Sequence, residues 1–179
     1  EDPQRKLAYP KPATEPTLAQ TMLAPFQSNG RVFGIARGVS LFAMLHAILE
    51  RTGPARVAAV VSAIGAREME ALSALPEVRI VIGRGVAELP KSTGFRPCAL
   101  FGDRLRVART HAKFVTIRND AWNIVVRTSA NFTASLGAEQ YDICDDATVA
   151  EHADAWIDFI FAETPPGSVF PAVVNRVYE

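Results

Sequence analysis

The sequence predicts an α/β domain built on a mixed, largely parallel sheet flanked by helices. Short apolar runs alternate with amphipathic stretches over residues 31–82, the pattern of strands joined by crossover helices. Two further apolar runs then flank the polar segment Arg118-Asn119-Asp120, a hairpin signal. A long amphipathic stretch over 148–163 closes the chain against Pro165-Pro166. At 179 residues the chain fits one domain that buries about two-thirds of its extended surface. Half of it is apolar (49%), which excludes a disordered or fibrous class.

Residues 1–25 contain Pro3, Pro10, Pro12, Pro16 and Pro25 without an apolar period, so they read as an extended, proline-rich N-terminal arm before a single domain over 26–179. Residues 31–36 form the first apolar run. Gly38 breaks it, and Ser40 caps a helix over 41–51 that Gly53-Pro54 stops. Residues 56–64 are continuously apolar, a strand buried on both faces. A helix over 66–75 ends at Pro76, and a third strand covers 78–82. After a Gly/Pro-containing loop over 83–103, strands are expected over 105–117 and 122–128, with a shorter one over 140–144.

The formal net charge is zero, from 19 basic and 19 acidic residues, but the charges are segregated. Residues 1–138 hold 18 basic and 10 acidic residues, whereas 139–179 hold one basic residue and nine acidic ones. Between 79 and 127, ten basic residues stand against Glu88, Asp103 and Asp120, which predicts a local attraction for a polyanion. The acidic carboxylates are expected to face water. Cys98 and Cys144 have no partner at metal or redox spacing, which favours a reducing, cytoplasmic compartment. A chain that starts at Glu1 leaves open a removed leader and hence the periplasm. No run approaches the ~18 apolar residues of a membrane span, so no membrane partner is expected.

Candidate chemistry gathers in three places: His111-Ala112-Lys113, Thr128-Ser129-Ala130-Asn131, and Glu139. An imidazole nucleophile, a fixed cation, an amide donor and a carboxylate that orients the imidazole suffice for metal-free phosphoryl transfer. If both motifs lie on regular strands, His111 and Lys113 share a face, and so do Ser129 and Asn131. Putting all four on one face requires a pairing such as 111 with 129 and 113 with 127. Such a register needs a three-residue turn, Asn119-Asp120-Ala121, and sets Arg118 opposite Trp122 in cation–π range.

These residues resemble the HxK(x)4D(x)6GSxN signature of the phospholipase D superfamily, over roughly residues 105–145. The element order resembles one half-module of that fold. Two positions depart from the signature: its Asp is Arg118 here, and its first Gly is Thr128. The Asp stands five residues after the Lys, an odd spacing that points it away from the site, so a structural role is expected there. The resemblance implies that His111 attacks phosphorus to form a phosphohistidine. Lys113 and Asn131 would hold the non-bridging oxygens, Glu139 would orient the imidazole, and Ser129 and Thr128 would support the site. It implies no metal and no cofactor. A second His must protonate the leaving oxygen, and the chain's other two, His46 and His152, sit in no second HxK. Single-motif members pair two subunits, so a homodimer sharing one active site is expected.

The substrate is argued from the rest of the chain. Fifteen Arg against four Lys favour bidentate phosphate contacts, with Arg84, Lys91, Arg96, Arg109, Arg118 and Arg127 the candidate nucleic-acid ligands. A metal-independent phosphodiesterase of the nuclease type, acting on DNA, ranks first. A catalytically inactive DNA-binding or assembly module and a phospholipase or phosphatidyl transferase are the alternatives.

Overall fold

The computed structural model describes residues 15–83, 97–133, 137–166 and 169–170. Eight strands form one sheet: β1 (Arg31–Arg37), β2 (Arg56–Val61), β3 (Val78–Gly83), β4 (Leu105–Ala108), β5 (Phe114–Arg118), β6 (Asn123–Thr128), β7 (Ala138–Asp145) and β8 (Val169–Phe170). Among the described residues five helices accompany them: α1 (Glu15–Leu23), α2 (Leu41–Thr52), α3 (Ala66–Ser73), α4 (Pro97–Phe101) and α5 (Ala147–Glu163). The strand order is β1-β7-β6-β5-β2-β3-β4-β8. Pairings from β2 through β8 are parallel, while those joining β1, β7, β6, β5 and β2 are antiparallel. Only β5 and β7 run against the rest, so the sheet is mixed and flanked by helices, as the sequence predicts, with three parallel and four antiparallel pairings.

Local signals set the helices. Ser40 caps α2 by accepting from the Ala43 amide, and Gly53 ends it with φ of 74°, its N–H bonded to Leu49. Asp146 caps α5 through the Thr148 and Val149 amides. On one sheet face α1, α2 and α3 bury Leu23, Leu41, Met44, Leu45, Ile48, Met69 and Leu72 against the odd residues of β2 and the even residues of β3. On the other, α5 sets Ile157 and Ile160 over Ala58, Val60 and Val81. Strand β2 is buried on both faces, which is why its run reads as continuously apolar.

Four sequence expectations give way. Residues 15–23 of the expected arm are helical: Pro16 suits the first turn of α1, and Ala19 and Leu23 pack against α2. The run at 31–36 does not pair with β2; β1 lies at the outer edge with three strands between them. The expected strand over 105–117 is two strands, because β4 and β5 flank the β2–β3 pair on opposite sides and residues 109–113 must cross between them. The crossing spans three strand spacings, about 14 Å, and the six links from Ala108 to Phe114 reach about 20 Å at most. The loop therefore passes over the ends of β3 and β2 without room for a further turn of structure. Finally, the hairpin register is Phe114 with Arg127 and Arg118 with Asn123, with a four-residue turn closed by the Asn119 amide on the Trp122 carbonyl. Asn119 sets that turn: its Oδ1 accepts from the Ala121 and Trp122 amides, while its Nδ2 donates to the Thr52 and Pro54 carbonyls.

Arg118 consequently faces Asn123 and not Trp122, donating to Asn123 Oδ1 at 2.9 Å. Its guanidinium also meets Asp154 of α5 at 3.0 Å. Asp154 is 4% exposed, against the expectation of a solvated carboxylate, and it also accepts from Thr116 Oγ1 at 2.7 Å and Arg56 at 3.0 Å. This carboxylate pins α5 to β2 and β5. Asp154→Ala leaves the buried Thr116 hydroxyl only the Ala58 carbonyl, 3.5 Å away, while both arginines keep access to water, so urea denaturation is expected to show a loss of about 2 kcal/mol. Unchanged stability would contradict the pinning role.

Candidate active site

Every residue of the proposed set lies at one end of the sheet. The loop 109–113 crosses the C-terminal ends of β3 and β2, Asn131 follows the C-terminal end of β6, and Glu139 opens β7 at the same end. In open α/β sheets this is the end at which ligands bind. The strands stop at Phe114 and Thr128, so strand parity does not orient either motif. Hydrogen bonds in the loops do so instead.

His111 and Ala112 are exposed. The loop is held by the Ala112 amide on Thr110 Oγ1 at 3.0 Å and by Lys113 Nζ on the His111 carbonyl at 3.0 Å. The cation is thus tied to the His111 backbone through the loop's own folding, not through strand alternation. The Thr128 amide donates to the Lys113 carbonyl at 3.1 Å, joining the two motifs. Thr128, in place of the signature's Gly, uses its hydroxyl to bond the Gln140 carbonyl at 2.6 Å and to accept from the Ala130 amide at 2.9 Å. It builds the turn that leads to Asn131.

Asn131 is fixed at three points. Its Oδ1 accepts from Ser62 Oγ at 2.9 Å and the Ala63 amide at 3.0 Å, and its carbonyl takes the Leu41 amide that opens α2. With Oδ1 occupied, the amide presents Nδ2 as a donor. Ser62, just after β2, is invisible to motif reading because it meets Asn131 across 69 positions. The same corner explains Gly83: a Cβ there would stand 2.9 Å from the Ser62 carbonyl oxygen. Ser129 Oγ donates to Glu139 Oε2 and accepts from the Gln140 amide at 3.1 Å. Among the described residues Glu139 bonds Ser129 and not His111, so the expected carboxylate–imidazole contact is not formed in the single chain.

The charge segregation of the sequence is largely cancelled in space. Asp142 of β7 takes both Arg31, through two N–H groups at 2.8 and 2.7 Å, and Arg127 at 2.6 Å. Arg79 pairs with Asp158, and Arg118 pairs with Asp154 at the far end of the sheet. Of the candidate nucleic-acid ligands, Arg118 is thereby remote from His111, while Arg127 lies near it and is partly neutralised. Arg109 is exposed beside His111 and has no ion-pair partner among the described residues; Arg84, Lys91 and Arg96 lie outside them. Among the described residues no three His, Cys, Asp or Glu side chains gather as a metal site, and no helix is long and apolar enough to cross a membrane.

Solved structures share this architecture. A phospholipase D family member, Nuc from Salmonella typhimurium, superposes with a TM-score of 0.53 at 17% identity, covering 76% of this chain and 97% of that one. Polyphosphate kinase from Porphyromonas gingivalis superposes with a TM-score of 0.51 at 10% identity, over 79% of this chain and 26% of the kinase. No family model matches the chain, and no curated protein sequence matches it. This chain shares the fold of that phospholipase D family member. At these identities the likeness defines the fold and leaves the activity to the site.

Hydrogen bonding from Arg31, reinforced by Arg127, holds the Asp142 carboxyl below the usual carboxylate range, and the same bond raises Arg31. A carboxyl depressed by folding stabilises the protein above its unfolded value, near 3.9, and loses that contribution as pH falls through the folded value. Asp142→Asn should therefore lower the urea midpoint at pH 7, with the gap to the wild type closing below about pH 4. A gap that widens on acidification would contradict the assignment.

Proposed function

We propose that the chain is a metal-independent phosphodiesterase that cleaves DNA with His111 as nucleophile. The observation that carries this reading is the gathering of the His111-Lys113 loop, the Asn131 amide anchored on Ser62 and Ala63, and the Ser129–Glu139 pair at one end of the sheet. The fold of a phospholipase D family member supports it.

The chemistry assigned to these groups is a double displacement. An imidazole nitrogen of His111 forms a bond to phosphorus as the P–O bond to the leaving strand breaks, and the leaving oxygen takes a proton from a second imidazole. Lys113 Nζ and Asn131 Nδ2 hold the non-bridging oxygens as charge builds on them. Glu139, one oxygen bonded to Ser129, keeps the other for a His111 N–H in the assembled site, a contact the single chain does not make, and there fixes the tautomer. Water then attacks phosphorus, gives its proton to the second imidazole and releases His111. His46 lies on the exposed side of α2 and His152 on that of α5, so neither belongs to the His111 loop. His111 of a second copy, related by a two-fold axis, fits the role of acid.

The two departures from the signature support activity over an inactive module. Arg118 does structural work with Asp154 away from the site, and Thr128 shapes the turn without displacing Asn131.

Plasmid and single-stranded DNA should be cleaved in EDTA, with cleavage abolished in His111→Ala. DNA binding without cleavage by the wild type would favour the inactive module, and EDTA-resistant hydrolysis of phosphatidylcholine in preference to DNA would favour a lipid enzyme. Ser62 acts through Asn131 as a positioning residue. Ser62→Ala should lower kcat about fivefold with KM nearly unchanged, and Ser62→Thr should restore it, since one buried hydrogen bond is worth about 1 kcal/mol. Equal loss in both variants would contradict the role.

A further inference from the structure

The sheet face that carries α5 is only partly covered. Helix α5 and its flank pack over Ala58, Val60, Val81, Val125 and Cys144, and β1 lies beyond them. There Phe33 and Ile35 stand 63% and 68% exposed on the edge strand. Phe33 is directly opposite Asp142, which is opposite Arg127, which is opposite Phe114. Four strands thus present a single row, Phe33–Asp142–Arg127–Phe114, with aromatic rings at its ends and an ion pair in its middle. Its three strand spacings make it about 14 Å long.

The row floors an open groove of about 490 Å³, which Arg31 and Gln140 also line and which Ala112 and Lys113 continue into the His111 loop. Arg31, Lys113 and Arg127 against Asp142 leave the groove at net +2. The arginines are not used up by that carboxylate. Arg31 commits two of its five N–H donors to Asp142 and Arg127 commits one, so both keep donors for a phosphate. An exposed ring between cations is the arrangement that takes an unpaired base on its face and the adjoining phosphate at its side. Bases stacked inside a duplex have no free face to offer. A second copy docked symmetrically on this face would set +2 against +2, which disfavours it as the occupant.

We propose that this groove binds single-stranded nucleic acid, with a base stacked on Phe33 and phosphates on Arg31 and Arg127, and leads the strand to the His111-Lys113 loop. The inference deepens the phosphodiesterase reading by naming an unpaired strand as substrate, and it rests on that reading only for where the strand leads.

The test is equilibrium binding of a fluorescently labelled oligodeoxynucleotide to the full chain in EDTA, in the His111→Ala background so that nothing is cleaved. The single strand should bind more tightly than its duplex. Phe33→Ala should weaken single-strand binding about tenfold, the scale of one lost base–aromatic stack, and Phe33→Trp should preserve it. Arg31→Ala should weaken binding of both forms and flatten the salt dependence. Phe33→Ala that binds the single strand as before, or a wild-type preference for duplex, overturns the proposal. So does light scattering in which Phe33→Ala converts a dimer to a monomer, which would assign the face to a second copy. Because binding is read without turnover, Phe33-dependent binding by a chain that cleaves no DNA would leave the groove standing and remove the nuclease.

Discussion

The placement of β4 and β5 on opposite sides of the β2–β3 pair governs the rest of the molecule. The chain has to leave β4 at Ala108 and re-enter the sheet at Phe114, and five residues make the crossing over two strands. That constraint places His111 and Lys113 over the strand ends. A regular strand through the same residues would instead have turned alternate side chains into the sheet's two faces. With the loop fixed from both sides, the strand ends beneath it need room, which the absence of a side chain at Gly83 supplies beside Ser62.

Around this crossing the helices divide the labour. One face carries most of the apolar burial and gives α2 a start at Leu41, where the Asn131 carbonyl takes the first free amide. Among the described residues the other face carries α5 alone, tied down by a buried carboxylate as well as by Ile157 and Ile160. Because α5 is a single helix over a broad sheet, it leaves β1 bare. The exposed groove is thus a consequence of topology, and its position next to the His111 loop follows from β5 entering the sheet beside β6 at Phe114.

Much of this was legible in the sequence, for physical reasons that can be named. Ser40 and Gly53 bracket α2 because capping is local, and the unbroken apolar run of β2 announces burial on two sides. The motif residues could be found because their spacing along the chain is fixed. What sequence could not carry were contacts between distant segments. Asp154 reads as one more carboxylate on a polar helix until Arg56, Thr116 and Arg118 converge on it. Ser62 has no motif at all. Strand alternation misjudged the hairpin because Asn119 builds a four-residue turn with its own side chain, and no parity rule includes that bond. Segregation of charge along the chain also misled: acidic residues late in the sequence lie beside basic residues early in it, as Asp142 does between Arg31 and Arg127.

The central claim is that His111 is the nucleophile. Alkaline quenching of the protein during DNA turnover, followed by mass mapping of its peptides, tests it directly because the phosphoramidate bond of phosphohistidine survives base. A phosphonucleotide adduct is expected on the peptide that contains His111, and none in His111→Ala. Turnover without an adduct on that peptide, or with the adduct on another residue, would contradict it.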